Sequence, residues 1–271
     1  FQSGATVRIG GTSATSVNVA SSTSITAVTP SHAAGAVDVV VTNTDNQSGT
    51  LANGFTYTAP GPPPETVLLQ DDFNDNSLNT SKWTANNLYS GFTDAGVPVA
   101  EVSQRIEFGP LLQNVSGSHY NGVKSASTFS FTNGYAYVEI VQPAAANTAA
   151  DAMFTLGNSV DNYYRIYVEA GTLFLQKRIN AAKTTILSAP FNAVNDRYWR
   201  IRHDAANNRV VFETAPDNGG VPGAWTQRHS EIWSASVNLA AVQFELKGGT
   251  WQVEANAPGK VIFDNFKAAR Q

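Results

Sequence analysis

Ala59-Pro60-Gly61-Pro62-Pro63-Pro64-Glu65 divides the 271-residue chain into two blocks of different character. Proline lacks a backbone N–H and fixes φ, so this run reads as an extended, semi-rigid spacer and not as a strand or helix interior. The expected organisation is a small module over residues 1–59, a linker over 60–66 and a larger module over 67–271.

Composition limits the function classes. Hydrophobic residues make up 42 % and aromatic residues 10 %, enough for packed cores. Charged residues are only 14 %, and Asn, Thr, Ser, Gly and Ala take their place, a mixture expected of extracellular β proteins. Net charge is −4 with no Lys/Arg cluster, which argues against nucleic acid as a partner. No apolar run reaches membrane-spanning length, so no membrane span is expected. There is no cysteine, which points to a bacterial source or to cores that need no disulfide. The first residue is Phe1, not Met, as in a mature product or a piece of a longer protein, and secretion or cell-surface display is the expected location.

Short β-branched runs fill the first block: Ala5–Gly10, Ser16–Ala20, Ser24–Val28, Ala36–Asn43 and Phe55–Thr58, separated by signals such as Gly10-Gly11 and Ala34-Gly35. They predict a small sandwich. Gly4-Ala5-Thr6-Val7, Gly10-Gly11-Thr12, Ile25-Thr26-Ala27-Val28-Thr29-Pro30, Gly35 to Asn43 and Leu51 to Tyr57 stand in an order and spacing that resembles the IPT/TIG family of immunoglobulin-like domains. Such sandwiches use about seven strands, and this block offers five or six, lacking the family's first. Two readings stay open: the chain begins late in the domain, or a neighbouring copy donates a strand to an open edge, giving a fibre.

The second block alternates throughout: Ala136–Val141, Tyr163–Glu169, Leu173–Arg178, Arg197–His203 and Arg209–Thr214, with turn signals at Asn133-Gly134, Ala170-Gly171, Asn207-Asn208 and Asp217–Gly220. No helical period competes, so two stacked antiparallel sheets are predicted and the chain is all-β. The stretch from Asp71-Asp72-Phe73 to Trp83, with the closing Phe263-Asp264-Asn265-Phe266, resembles the concanavalin A-like lectin/glucanase superfamily. Tyr198–Asp204 and Phe212–Asp217 add to the likeness. The resemblance implies a jelly roll whose first and last strands pair. It also implies structural Ca2+ near that junction, where Asp71, Asp72, Asp75 and Asp264 would meet, although Asp/Asn-rich segments also make ordinary turns.

Glycosidases of that superfamily need two carboxylates close together on one strand, in a Glu-x-Asp-x-x-Glu pattern. The sequence contains no such pattern. Glu139 stands alone, Glu169 ends its strand, and Asp151 and Asp161 are read as flanking Met153–Gly157 and not as part of it. A non-catalytic binder is therefore expected, with a diverged hydrolase and a fibre subunit as alternatives. Alternation puts Tyr163, Arg165 and Tyr167 on one face and groups Tyr198, Arg200 and Arg202 in the same way. If those strands are neighbours, they form one trough of tyrosine and guanidinium suited to a glycan or cell-surface polymer, joined by Trp225 from the loop after Asp217. The arginines have a structural alternative, pairing across strands with Glu139, Glu169 or Glu213.

Overall fold

The computed structural model describes residues 1–59 and 64–271; the centre of the expected linker, residues 60–63, lies outside the described residues. The chain forms two compact units, Phe1–Pro63 and Pro64–Gln271. Among the described residues there is no helix.

The first unit contains β1 (Thr6–Ile9), β2 (Thr12–Ser13), β3 (Thr15–Ser21), β4 (Ser24–Val28), β5 (Gly35–Thr42) and β6 (Ser48–Tyr57). One sheet runs β2-β1-β5-β6, and β3 and β4 pair as a separate hairpin. The Gly10-Gly11 signal makes the β1–β2 turn, both residues taking positive φ (59° and 78°), which glycine adopts without steric cost. Among the described residues of this unit, only Ala5, Val7 and Ile9 are buried. Phe1, Ile25, Val39, Val41 and Leu51 line an apolar hollow of about 540 Å³.

The second unit begins with β7 (Thr66–Asp71), β8 (Trp83–Ala85), β9 (Val99–Val102), β10 (Arg105–Phe108) and β11 (His119–Ser125). Its middle is β12 (Gly134–Gln142), β13 (Ala150–Ser159), β14 (Asn162–Glu169), β15 (Thr172–Ile179) and β16 (Ala182–Pro190). It closes with β17 (Tyr198–Asp204), β18 (Arg209–Ala215), β19 (Thr226–Ile232), β20 (Gln243–Thr250) and β21 (Val261–Arg270). Eight strands form one sheet, β19-β18-β17-β12-β21-β10-β9, with β7 pairing the end of β21. The expected pairing of first and last strands is present, from Phe266↔Asp71 to Arg270↔Thr66. Seven strands form the other sheet, in the order β16-β15-β14-β13-β20-β11-β8.

Period-two alternation explains the core between these sheets. Tyr164, Ile166 and Val168 of β14, Ala152, Phe154 and Leu156 of β13, and Phe244 and Leu246 of β20 face Trp199, Ile201, Phe212, Phe263 and Phe266. Edge-to-face aromatic pairs such as Trp83–Phe266, 4.9 Å between centroids, consolidate it. β20 carries Gly248-Gly249 because a Cβ at Gly248 would meet Val261 at 2.9 Å and one at Gly249 would strike the His119 carbonyl at 2.3 Å. The glycines permit close strand packing there; they do not end the strand.

Candidate functional site

Every second residue of the seven-stranded sheet points away from the core, and the cross-strand register brings particular ones together. Asp151, Met153 and Thr155 of β13 lie opposite Glu169, Tyr167 and Arg165 of β14. On the other side, Thr155 lies opposite Glu245 and Met153 opposite Lys247. Tyr120 of β11, Gln176 of β15 and Trp251, just beyond β20, complete a hollow of about 470 Å³.

Half of this outward face is covered. The backbone N–H groups of Tyr89 and Ser90 both donate to Glu245 Oε1. Arg165 donates through Nη2 to Ser90 Oγ (2.9 Å) and through Nε to Thr155 Oγ1 (2.9 Å). The Tyr89-Ser90 segment thus shields Glu245, Thr155 and Tyr163, and the open hollow is the half towards Asp151, Tyr167 and Trp251. Trp251 stands at the rim, 48 % exposed, its indole N–H donating to Glu169 Oε1 at 2.5 Å.

Charge inside the hollow is strongly perturbed. Burial pushes the Asp151 carboxyl from 3.8 up to about 7, against the pull of the Tyr120 hydroxyl that donates to its Oδ2. Burial also lowers the Lys247 ammonium from 10.5 to about 7, with Arg165 adding to the effect and Glu245 opposing it. Glu245 is raised, again chiefly by burial. Lys247 sits 5.0 Å from the centre of the Tyr120 ring. Among the described residues, Asp151 Oδ1, Gln176 Oε1 and Glu245 Oε2 are buried acceptors without a hydrogen-bond partner.

These shifts set a pH dependence. Between its ordinary 3.8 and about 7, Asp151 keeps a proton in the folded state that the unfolded chain has released, so its contribution to stability falls as pH rises through that window. Lys247 acts oppositely above about 7. Asp151→Asn is expected to flatten the decline of the unfolding midpoint between pH 4 and 7, followed by tryptophan fluorescence. An unchanged profile would show that Asp151 does not set it.

The sequence-predicted site residues separate into two groups. Tyr163, Arg165 and Tyr167 lie on the face with the hollow, where Arg165 and Tyr167 line it and Tyr163 is buried under the Arg165 guanidinium, 4.4 Å from its ring centre. Tyr198, Arg200 and Arg202 belong to β17 in the other sheet, on the far side of the core. The single trough is therefore not formed: alternation assigns a face to each residue but not a sheet to each strand. Arg200 and Arg202 both pair with Glu213, as the structural alternative had it. Trp225 is partly covered, with the Arg200 guanidinium 4.1 Å above its ring. The exposed tryptophan is Trp251.

Asp151 also differs from its sequence reading, since it lies within β13, directly opposite Glu169. The sequence reading passed over Tyr120, Gln176, Glu245, Lys247 and Trp251 of this face. The alternation Gln243-Phe244-Glu245-Leu246-Lys247 was the signal that could have found two of them.

Three of the four aspartates of the expected calcium set are engaged by protein groups. Asp71 accepts from Trp83 Nε1 (2.8 Å) and pairs with Lys82 (3.2 Å), Asp75 accepts from the Ser77 N–H (3.0 Å), and Asp264 lies 3.9 Å from Arg105. Asp72 is exposed. Among the described residues no three acidic or imidazole groups converge.

Residues 1–57 match the family model of the IPT/TIG domain. The first unit is an IPT/TIG domain. No curated protein matches the chain in sequence. Among solved structures, the chain is similar to an endo-1,3-β-glucanase from Streptomyces sioyaensis (TM-score 0.52, 11 % identity, covering 78 % of this chain and 99 % of that one). It is similar to a pseudo β-1,3-glucanase of Mycobacterium tuberculosis (0.52, 12 %, 76 % and 99 %). A third is the CBM2 module of the evolved Dit of Lactobacillus casei BL23 phage J-1 (0.51, 11 %, 76 % and 95 %). At these identities the likeness concerns the fold: the second unit is a jelly-roll sandwich like these structures.

Proposed function

We propose that the second unit of this chain binds a glycan in the Asp151–Trp251 hollow and does not cleave it. The observation that carries this reading is the hollow itself. An exposed indole stands at its rim, tyrosine and methionine line it, and paired polar groups fix its floor, the mixture that recognises a pyranose with one apolar face and a ring of hydroxyls. Fold relatives include a carbohydrate-binding module and glucanase-like proteins, which is consistent with a glycan-related role. Display outside the cell suits the same role.

The acids present are poorly placed for hydrolysis. Asp151 and Glu245 are four residues apart along the ladder, about 13 Å, with Lys247 between them, beyond the roughly 5–9.5 Å that paired catalytic carboxylates require. Asp151 is 2 % exposed, one oxygen held by Tyr120 and the other enclosed, so it cannot reach a glycosidic oxygen without moving. One observation favours the second reading, a diverged retaining hydrolase: Asp151 and Glu169 are direct cross-strand neighbours with side chains on the same face. On a glycan array, Trp251→Ala is expected to weaken the strongest wild-type signal at least tenfold. Equal binding by both proteins would remove the hollow from the site.

The first unit supports a separate expectation of self-association. β6 pairs only with β5 among the described residues, and nine of its ten residues are exposed. Strand addition between copies predicts a solution mass that rises with concentration; a constant monomer mass contradicts it.

A further inference from the structure

The outer face of the eight-stranded sheet carries a second constellation, separated from the hollow by the whole core. Register places Tyr137 opposite Arg200 and Tyr135 opposite Arg202, and Arg200 opposite Glu213 on the next strand. Glu213 is buried and accepts from Arg200 Nε at 2.6 Å and from Arg202 Nε at 3.2 Å. One carboxylate therefore orients two guanidinium groups by their inner nitrogens. Their terminal Nη atoms make no hydrogen bond to protein among the described residues, and the side chains remain 17 % and 32 % exposed.

The surroundings hold this fork still and flank it with rings. The Arg200 Cζ lies over the Trp225 ring, 4.1 Å from its centre. The rings of Tyr135 and Tyr137 are parallel within 2°, 6.2 Å apart, and the Tyr135 hydroxyl is tied to Glu65. Glu65 also pairs with Lys267 at 2.5 Å, so that cation is already neutralised. The two guanidinium groups share the single Glu213 carboxylate, and Asp204, further along the same strand, also feels the Arg202 charge. Arg200, Arg202, Tyr135 and Glu213 border a hollow of about 330 Å³, the lower end of ordinary ligand pockets.

We infer that this face is a second binding site, selective for the carboxylate of an acidic saccharide. A planar carboxylate matches the outer edges of two pre-oriented guanidinium groups. The Tyr135 ring beside them offers an apolar face to the sugar that carries the acid. A neutral sugar would leave the guanidinium edges unpaired, and a bare anion would leave the ring unused.

Titration calorimetry over a panel of galacturonate, glucuronate-containing and sialylated oligosaccharides tests this, with the Trp225 indole N–H followed by NMR. At least one acidic member is expected to bind and shift the Trp225 resonance. Its methyl ester and the Arg202→Gln variant should each bind at least tenfold more weakly, while Trp251→Ala, altered only in the first hollow, binds unchanged. An unchanged melting midpoint for Arg202→Gln keeps the comparison valid, and Tyr135→Leu provides a second variant of the site. No binding by any acidic member, an ester that binds as the acid does, or acetate binding as tightly as the saccharide would each overturn the assignment. None of these results bears on neutral glycan binding at the Trp251 hollow.

Discussion

Glu245→Ala is expected to destabilise the second unit by about 3–5 kcal/mol, the cost of removing one partner from a buried charge network. Glu245 is completely buried, and its Oε1 takes the N–H groups of Tyr89 and Ser90. Its charge also opposes those of Arg165 and Lys247, both of which are buried. Alanine would leave two backbone donors unpaired and the Arg165 guanidinium without its neighbouring carboxylate in a low-dielectric interior. All five tryptophans, Trp83 to Trp251, lie in the second unit, so tryptophan fluorescence in denaturant reports on that unit alone. Glu245→Gln, which retains an acceptor, should cost less. A loss below about 1 kcal/mol for alanine would mean that the Tyr89-Ser90 segment is not anchored by this carboxylate.

Trp251→Ala should have the opposite profile: a large loss of binding and little change in stability. The indole is half exposed and its one hydrogen bond goes to Glu169, so truncation removes surface, not core. Exposed tryptophans that anchor a ligand typically carry about 2 kcal/mol or more, which is over tenfold in affinity. Calorimetry with the best array ligand measures the first effect and the melting midpoint the second, expected to move little. Retained affinity would place the sugar elsewhere on the sheet.

The fold was largely legible because alternation, turn residues and strand length are local properties. Gly10-Gly11, Asn133-Gly134 and Ala170-Gly171 each sit at a turn, and β12, β14, β15, β17 and β18 follow the alternating runs closely. The site was legible only in part. Arg165 and Tyr167 were placed on the correct face by period two, but which strand neighbours β14 is decided by chain reversal over residues 170–197, which periodicity does not encode. β20 was hidden because its Gly248-Gly249 resembles a turn and its Glu245 and Lys247 resemble surface charges, whereas the glycines relieve crowding and burial pushes both ionisable groups towards their neutral forms. Asp151 was read as outside β13 because strand limits are blurred wherever an alanine run such as Ala144–Ala146 precedes them.

Binding without cleavage is decided most directly by incubating the intact protein with the polysaccharide it binds best and assaying new reducing ends, alongside Asp151→Asn and Glu169→Gln. Bound polymer of unchanged chain length, with no reducing ends above a protein-free control, is the predicted result. Reducing ends released by the wild type and lost in both variants would make Asp151 and Glu169 a catalytic pair and contradict it.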